Sequence, residues 1–437
     1  MFTFIANIFR KPELRSRIIF TLGMLFVFRL GATITIPGVN GEVLTSGFAQ
    51  SGIFGIMNML GGGSLERFSL FALGVSPYIT SSIIIELLSM DVIPTLTEWT
   101  KEGENGRKKK DRVTRYFTIV LATIQGISLT YAFDKAYGLL YNATVASYAY
   151  VTMVMVAGSM LCMWMGDQIT QKGIGNGTSL LIFTGIVANL PNSFINTARE
   201  LIQVTDADFG TTAIGVLNYV LFVLIYLLII VFVVYNEGAV RKIKINYASN
   251  SNPTMRTHDQ THMPIKINSA GVIPVIFASS VMSTPLTIMS FMKQTDTTAA
   301  LQKIFDFSSQ PGAFFIYLVL IVLFTFFYAN LQIDAEKISK DLKKSNGSIP
   351  GVRQGKETEN YIKKVLNRIT VLGATFLVII AAIPIALPAI WSVADSVSSQ
   401  IQLGGTGLII VTGVALETVK QINTYLTRRE YKGYIRK

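Results

Sequence analysis

Charge, cysteine and histidine are all scarce in this sequence. Only 15% of the 437 residues are Asp, Glu, Lys or Arg, against roughly 25% in soluble globular domains. Half of the residues are hydrophobic and the mean hydropathy is +0.47. That balance excludes an ordinary soluble domain and describes a polytopic membrane protein. A single cysteine, Cys162, excludes an intramolecular disulfide and any multi-cysteine metal site. The two histidines, His258 and His262, stand four apart and could share a metal on a helix. They sit among Asn252, Pro253, Thr257 and Pro264, which is loop composition, and no third ligand is evident, so they read as surface-loop histidines and no metal is expected. No zinc-protease motif, nucleophile elbow or phosphate-binding loop occurs. The glycine-rich run GIGNGTS (173–179) lacks the lysine of a nucleotide loop and reads as a flexible entry to a short helix. Neither an enzyme nor a cofactor is therefore expected.

Long apolar runs are what the chain has in quantity. They fall near residues 18–37, 68–90, 113–133, 148–166, 175–190, 214–235, 270–290, 313–330, 369–389 and 404–422, and each is close to the ~20 residues a bilayer requires. Ten spans put both termini on one side. With the N-terminus inside, the inner segments carry 32 Lys and Arg and the outer ones 5, a strong positive-inside asymmetry that makes both termini cytoplasmic. The run after Arg10, Lys11, Arg15 and Arg17 lacks a small-residue cleavage site and reads as a retained first span. Basic cytoplasmic loops occur at 101–115, 237–266 and 332–368. Such loops can bind anionic lipid, acidic protein or RNA phosphate, although topology determination alone explains the lysines at 108–110. Five spans in each half run in opposite directions, the plan of an inverted repeat.

Residues 53–88 are the most unusual stretch. Ile53 to Leu60 is too short to span, Gly61, Gly62 and Gly63 stop it, and the run Phe68 to Leu88 is interrupted by Gly74 and Pro77. Broken backbone at membrane depth is tolerated where it is buried or faces a water-filled cavity. A cavity with a small helix parked in it and a re-entrant anchor before a kinked helix both fit. Ionisable residues in or near the spans are few: Arg29, Glu86, Asp167, Asp395 and Glu417, mostly toward helix ends. Arg29 is the deepest and reads as a snorkelling or paired arginine. That scarcity weighs against an ion-coupled carrier, and missing motifs weigh against an intramembrane enzyme. Aliphatics flank the kinks. Val75 and Ile79 bracket Pro77, Ile182 and Ile186 share a helix face, Ile276 follows Pro274, and Ile410 follows Gly404, Gly405 and Gly407. They could form a hydrophobic constriction, while plain packing or lipid contact accounts for them as well.

Five segments together resemble one family. GGGSLERFSLFALGVSPYITSSIIIELL, GIGNGTSLLIFTGIVANLP, INYASNSN with THMPIKINSAGVIPVIFASS, IPGVRQGKETENYI, and GGTGLIIVTGVALETVKQI are similar to SecY/Sec61-alpha channel sequences, in order and over nearly the whole chain. The resemblance implies an all-α membrane protein of ten helices in two inverted halves, 1–5 and 6–10, around a central pore. The implied division is a cytoplasmic segment 1–17, an N-terminal half 18–190, an external hinge loop 191–213, a C-terminal half 214–422 and a tail 423–437. A plug is implied at 53–63, through Ile53, Phe54, Ile56, Met57, Asn58, Met59 and Leu60. A pore ring is implied at Val75, Ile79, Ile182, Ile186, Ile276 and Ile410, with valine as one departure from an all-isoleucine set. A lateral gate is implied between helices 2b–3 and 7–8. Arg241, Lys242 and Arg353 match docking residues for the SecA ATPase or the ribosome. Gln354 stands where the family usually has proline, so the rigidity of that loop is open. Other implied partners are the SecE and SecG subunits, signal sequences and translocating polypeptides, anionic lipids, SecDF and YidC, all at the bacterial cytoplasmic membrane. The implied activity is passage of secretory proteins across that membrane and lateral release of membrane proteins into it.

Overall fold

The computed structural model describes residues 11–40, 58, 61–90, 92–202, 209–247, 261–289, 296–306, 310–390 and 395–427. Each of the ten apolar runs holds a helix. In the N-terminal half these are α1 (Pro12–Thr33), α2 (Ser76–Leu88), α4 (Glu104–Tyr137), α5 (Val145–Lys172) and α6 (Gly177–Leu201), with a short α3 (Pro94–Lys101) before α4. In the C-terminal half they are α7 (Phe209–Gly238), α8 (Ile273–Met289), α10 (Pro311–Gln332), α12 (Lys356–Ile390) and α13 (Asp395–Thr427), with short α9 (Asp296–Phe305) and α11 (Ala335–Lys344) between them. Among the described residues seven helices are long and apolar enough to cross a membrane, and α2 and α8 are shorter apolar ones. Helices dominate because hydrocarbon offers the backbone no hydrogen-bond partner.

Three expectations change. The run 68–88 is not one helix, because residues 61–75 are turns and α2 starts only at Ser76. Gly74 has φ 54°, and Pro77 lies in the first turn of α2, where its missing N–H is harmless. The Ser64 hydroxyl holds the turns by donating to the carbonyls of Gly61 (2.6 Å) and Phe71 (2.8 Å). Next, α6 is 25 residues long rather than short, and runs through Pro191 to Leu201. Much of the expected hinge loop 191–213 is therefore helix. Asn176 starts α6 by accepting from the Ser179 N–H, so the entry run is a helix cap rather than a slack linker. Finally, the 237–266 loop is an antiparallel hairpin of β1 (Val240–Tyr247) and β2 (Thr261–Lys266). His262 is an exposed strand residue opposite Lys244, while His258 lies outside the described residues.

The two halves meet along two seams. On one side α8 packs against α2 and α4; on the other α6 packs against α13 and α7. The first seam is thin in polar contact, with Thr80 and Thr284 sharing a hydroxyl hydrogen bond of 3.2 Å. The second is sealed by rings, with Phe194 edge-on to Phe222 and Tyr226 at 5.6 and 5.4 Å. One apolar core crosses both halves and holds Phe28, Phe71, Cys162, Leu181, Phe222, Met282, Tyr317 and Ile409. Helix α5 approaches the 61–75 turns so closely that a Cβ on Gly158 would stand 1.9 Å from the Leu70 carbonyl oxygen.

Outside the bundle, β1 is the middle strand of a three-stranded sheet, between β2 and β3 (Gly347–Ser348). Its alternation puts Ile243 and Ile245 on one face and Lys242 and Lys244 on the other, in solvent, while Arg241 near the strand's start is also exposed. The two isoleucines pack with Ile265, Leu342, Ile349, Ile362 and Leu366. Thus the two basic loops at 237–266 and 332–368 fold into one module on the start of α12.

Candidate functional site

The six aliphatics come from four helices and one helix cap. Val75 is the cap residue of α2, and Ile79 lies on its first turn, donating its N–H to the Val75 carbonyl at 3.0 Å. Ile182 and Ile186 lie one turn apart on α6. Ile276 is in the first turn of α8, and Ile410 is midway along α13. All six are 1–7% exposed and belong to the core cluster that joins the halves. Two hollows flank them. One of about 150 Å³ is lined by Tyr78, Ile79, Asn176, Ile182, Ile276 and Tyr328. The other is about 10 Å³, room for about one water, and touches Gly61, Val75, Ile79, Ile182 and Ser280. Ile79 and Ile182 line both and stand between them, Val75 lines only the smaller and Ile276 only the larger.

The glycine turn closes the narrow side. Gly62 has φ 75°, and a Cβ there would stand 2.8 Å from the Gly185 Cα on α6, between Ile182 and Ile186. Arg29 donates from Nη1 to the Gly62 carbonyl at 2.7 Å. Among the described residues it pairs with no acid; it is a backbone anchor, which its sequence neighbours give no sign of. Asn58 braces the same turn. Its side-chain oxygen accepts from the Glu66 N–H (2.9 Å), its amide donates to Glu66 Oε2 (3.1 Å), and its carbonyl accepts from Gly63 (2.8 Å). Of the other plug residues named from the sequence, Ile53, Phe54, Ile56, Met57, Met59 and Leu60 lie outside the described residues.

Charges near the spans are matched. Lys110 meets Glu86 at 2.9 Å, joining α4 to α2, and Arg115 meets Asp167 at 2.8 Å, joining α4 to α5. Glu417 is exposed, and the side chain of Asp395 lies outside the described residues. Among the described residues no group of His, Cys, Asp and Glu could hold a metal.

Arg241 and Lys242 are exposed on β1, opposite Ile265 and Pro264. Arg353 is exposed in the turn between β3 and α12, where Gly351 and Gly355 have φ 80° and 100°. Three side chains hold that turn. Gln354 Nε2 donates to the Gly347 carbonyl (3.0 Å), Thr358 to the Arg353 carbonyl (2.8 Å) and Ser339 to the Gly355 carbonyl (2.7 Å). Gln354 thus restrains the loop with a hydrogen bond where a proline would do so with its ring. The alternation VRKIKINY was the signal for β1, and the separation of more than 80 residues between its partners kept the module hidden.

The fold and site define a class: a two-halved helical membrane bundle with a buried aliphatic cluster beside a wider and a narrower hollow. The SecY family model matches residues 69–419. The chain is 44% identical to the protein translocase subunit SecY of Bacillus licheniformis over 440 residues, covering 100% of both. It is 41% identical to that of Staphylococcus carnosus, covering 99% of both. Its fold is similar to a solved protein-conducting channel (TM-score 0.66, 16% identity, 94% and 92% of the two chains) and to Sec61 in a canine ribosome–channel complex (TM-score 0.62, 15% identity, 94% and 92%). The chain belongs to the SecY family, and it is a multi-pass membrane protein.

Proposed function

We propose that this chain is the channel subunit of a bacterial translocase, passing unfolded polypeptide between its two halves. One observation carries the reading: six aliphatic side chains, drawn from both halves, share one buried cluster, and Val75, Ile79, Ile182 and Ile276 of them line two hollows beside it. A polypeptide in transit has no single shape, so its pore should make few specific contacts. Short apolar side chains can close around any segment and exclude ions when nothing is there. The glycine turn anchored by Arg29 supports a plug at 53–63 on the narrow side.

The seam of α2 and α4 against α8 is the lateral gate in this reading. A signal sequence inserting there gains apolar burial at about 25 cal/mol per Å², and that differential binding favours the open state. The basic module faces the cytoplasm, as do both termini, in the bacterial plasma membrane. Arg241, Lys242 and Arg353 dock SecA or the ribosome, SecE and SecG complete the channel, and the chain performs no catalysis of its own. Work comes from SecA, translation or the membrane potential.

Crosslinking tests the reading. A photoreactive residue replaces Ile79 or Ile276, with a control at the exposed Leu224 of α7, and a secretory precursor is stalled during SecA-driven transport. Crosslinks at both ring positions, dependent on precursor and ATP, are expected. Crosslinks at Leu224 alone would place the path elsewhere.

A further inference from the structure

The docking module has a buried polar root that the pore reading does not use. Glu237 lies in the last turn of α7, three residues before β1, and is only 8% exposed. Its Oε1 accepts from Asn268 Nδ2 at 2.8 Å. Asn268 follows the end of β2 by two residues, is itself buried, and also donates to the Gly271 carbonyl (3.1 Å) just before α8. From α13, Lys420 donates to the Glu237 backbone carbonyl, and its Nζ stands 3.9 Å from Glu237 Oε2. Alongside, the Ile267 N–H donates to the Ala239 carbonyl at 3.0 Å, closing the hairpin's base. Among the described residues the Asn268 Oδ1 has no hydrogen-bond partner.

Three elements are therefore joined around one carboxylate: the base of the hairpin carrying Arg241 and Lys242 and the helix carrying Ile410 reach it through Asn268 and Lys420, and the start of the helix carrying Ile276 is tied in through the second bond of Asn268, to Gly271. Burying a charge here is costly unless its partners stay in place, so the carboxylate fixes where the three elements sit. We infer that Glu237 is a positioning residue that ties the root of the docking module to α8 and α13. A displacement of the module is passed through it to the two ring residues those helices carry. The inference rests on the channel reading for what docks and what moves. The contact itself does not.

The test uses the full-length chain in vesicles with its partner subunits, SecA and ATP. Glu237→Gln keeps the shape and an acceptor for Asn268 but removes the charge facing Lys420. SecA affinity is expected to stay within twofold while precursor transport falls tenfold or more. Glu237→Lys is expected to be worse. Adding Lys420→Glu to it should restore transport to within threefold of wild type, because the charges are exchanged and the Asn268 amide can turn its unpaired Oδ1 toward the new lysine. Unchanged transport in Glu237→Gln, a parallel loss of binding, or a double variant no better than Glu237→Lys would overturn the role. A second measurement stands apart from transport: the distance distribution between spin labels at the exposed Lys244 and Val419. It should broaden in Glu237→Gln and narrow again in the double variant. If the wild type moved no precursor, the channel reading would fail. The distances would still decide the tie, and a distribution in Glu237→Gln as narrow as wild type would overturn it.

Discussion

Single residues here do work that their type does not announce. Arg29 is a charge in a span, and it uses that charge to satisfy one backbone carbonyl beside a glycine turn. A hydrogen bond to a charged donor is worth roughly 1.5–3 kcal/mol, more than a surface ion pair. Gln354 is the clearer case, because its substitute is known in kind. Its bond to the Gly347 carbonyl pins the turn that presents Arg353, and a neutral bond of this sort contributes about 1 kcal/mol. Gln354→Ala is expected to weaken SecA binding several-fold. Gln354→Pro should keep it near wild type, since a fixed φ restrains the same turn. Titration of SecA onto channel-containing vesicles reads both, and equal affinities for all three would separate the turn's rigidity from docking.

At the scale of elements, alternation and interruption matter more than hydrophobicity. The run Phe68 to Leu88 is long and apolar enough to span, yet Gly74 and the Ser64 hydroxyl keep its first part in turns. This late start lets Val75 and Ile79 line the narrower hollow together. The basic module depends on strand alternation in the same way. Its core rests on Ile243, Ile245 and Ile265, each under 6% exposed. Truncating a buried isoleucine to alanine costs about 2–5 kcal/mol, a large fraction of what a module this small can hold. Ile245→Ala is therefore expected to speed trypsin cleavage within 240–266 several-fold while leaving resting ion conductance unchanged. A conductance change of similar size would mean that the module and the bundle unfold together.

For the whole molecule, the two seams between the halves differ in kind. The α6–α7 side is packed with rings and shares its helices with α13, whereas the α2–α8 side is held in part by one hydroxyl pair, Thr80 and Thr284. A weak polar contact costs little to break, so in the proposed channel the opening side is the second. Cysteines at both threonines are expected to form a disulfide on oxidation, since the native hydroxyls are 3.2 Å apart. SecA-driven transport should then stop and return on reduction. The native thiol, Cys162, is fully buried and does not compete. Full transport by the oxidised pair would mean that the halves need not part there.

The sequence by itself determined the ten apolar spans, the positive-inside asymmetry, the family and the identity of the six aliphatics. Those features are local, because a run of apolar residues or a cluster of lysines is legible wherever the chain later goes. The sequence overstated the length of the span containing α2 and understated α6, because a glycine or proline inside an apolar run can mean a turn, a kink or no break at all. Only the tertiary structure decided that Val75, Ile79, Ile182, Ile186, Ile276 and Ile410 share one core, that Arg29 holds Gly62, that two loops form one sheet, and that Glu237 joins the end of α7 to Asn268 ahead of α8 and to Lys420 of α13. Each of these links residues from about thirty to nearly three hundred and forty positions apart. Such contacts are fixed by which helix faces can pack and which buried polar groups must find partners, and neither is written in any one stretch of the chain.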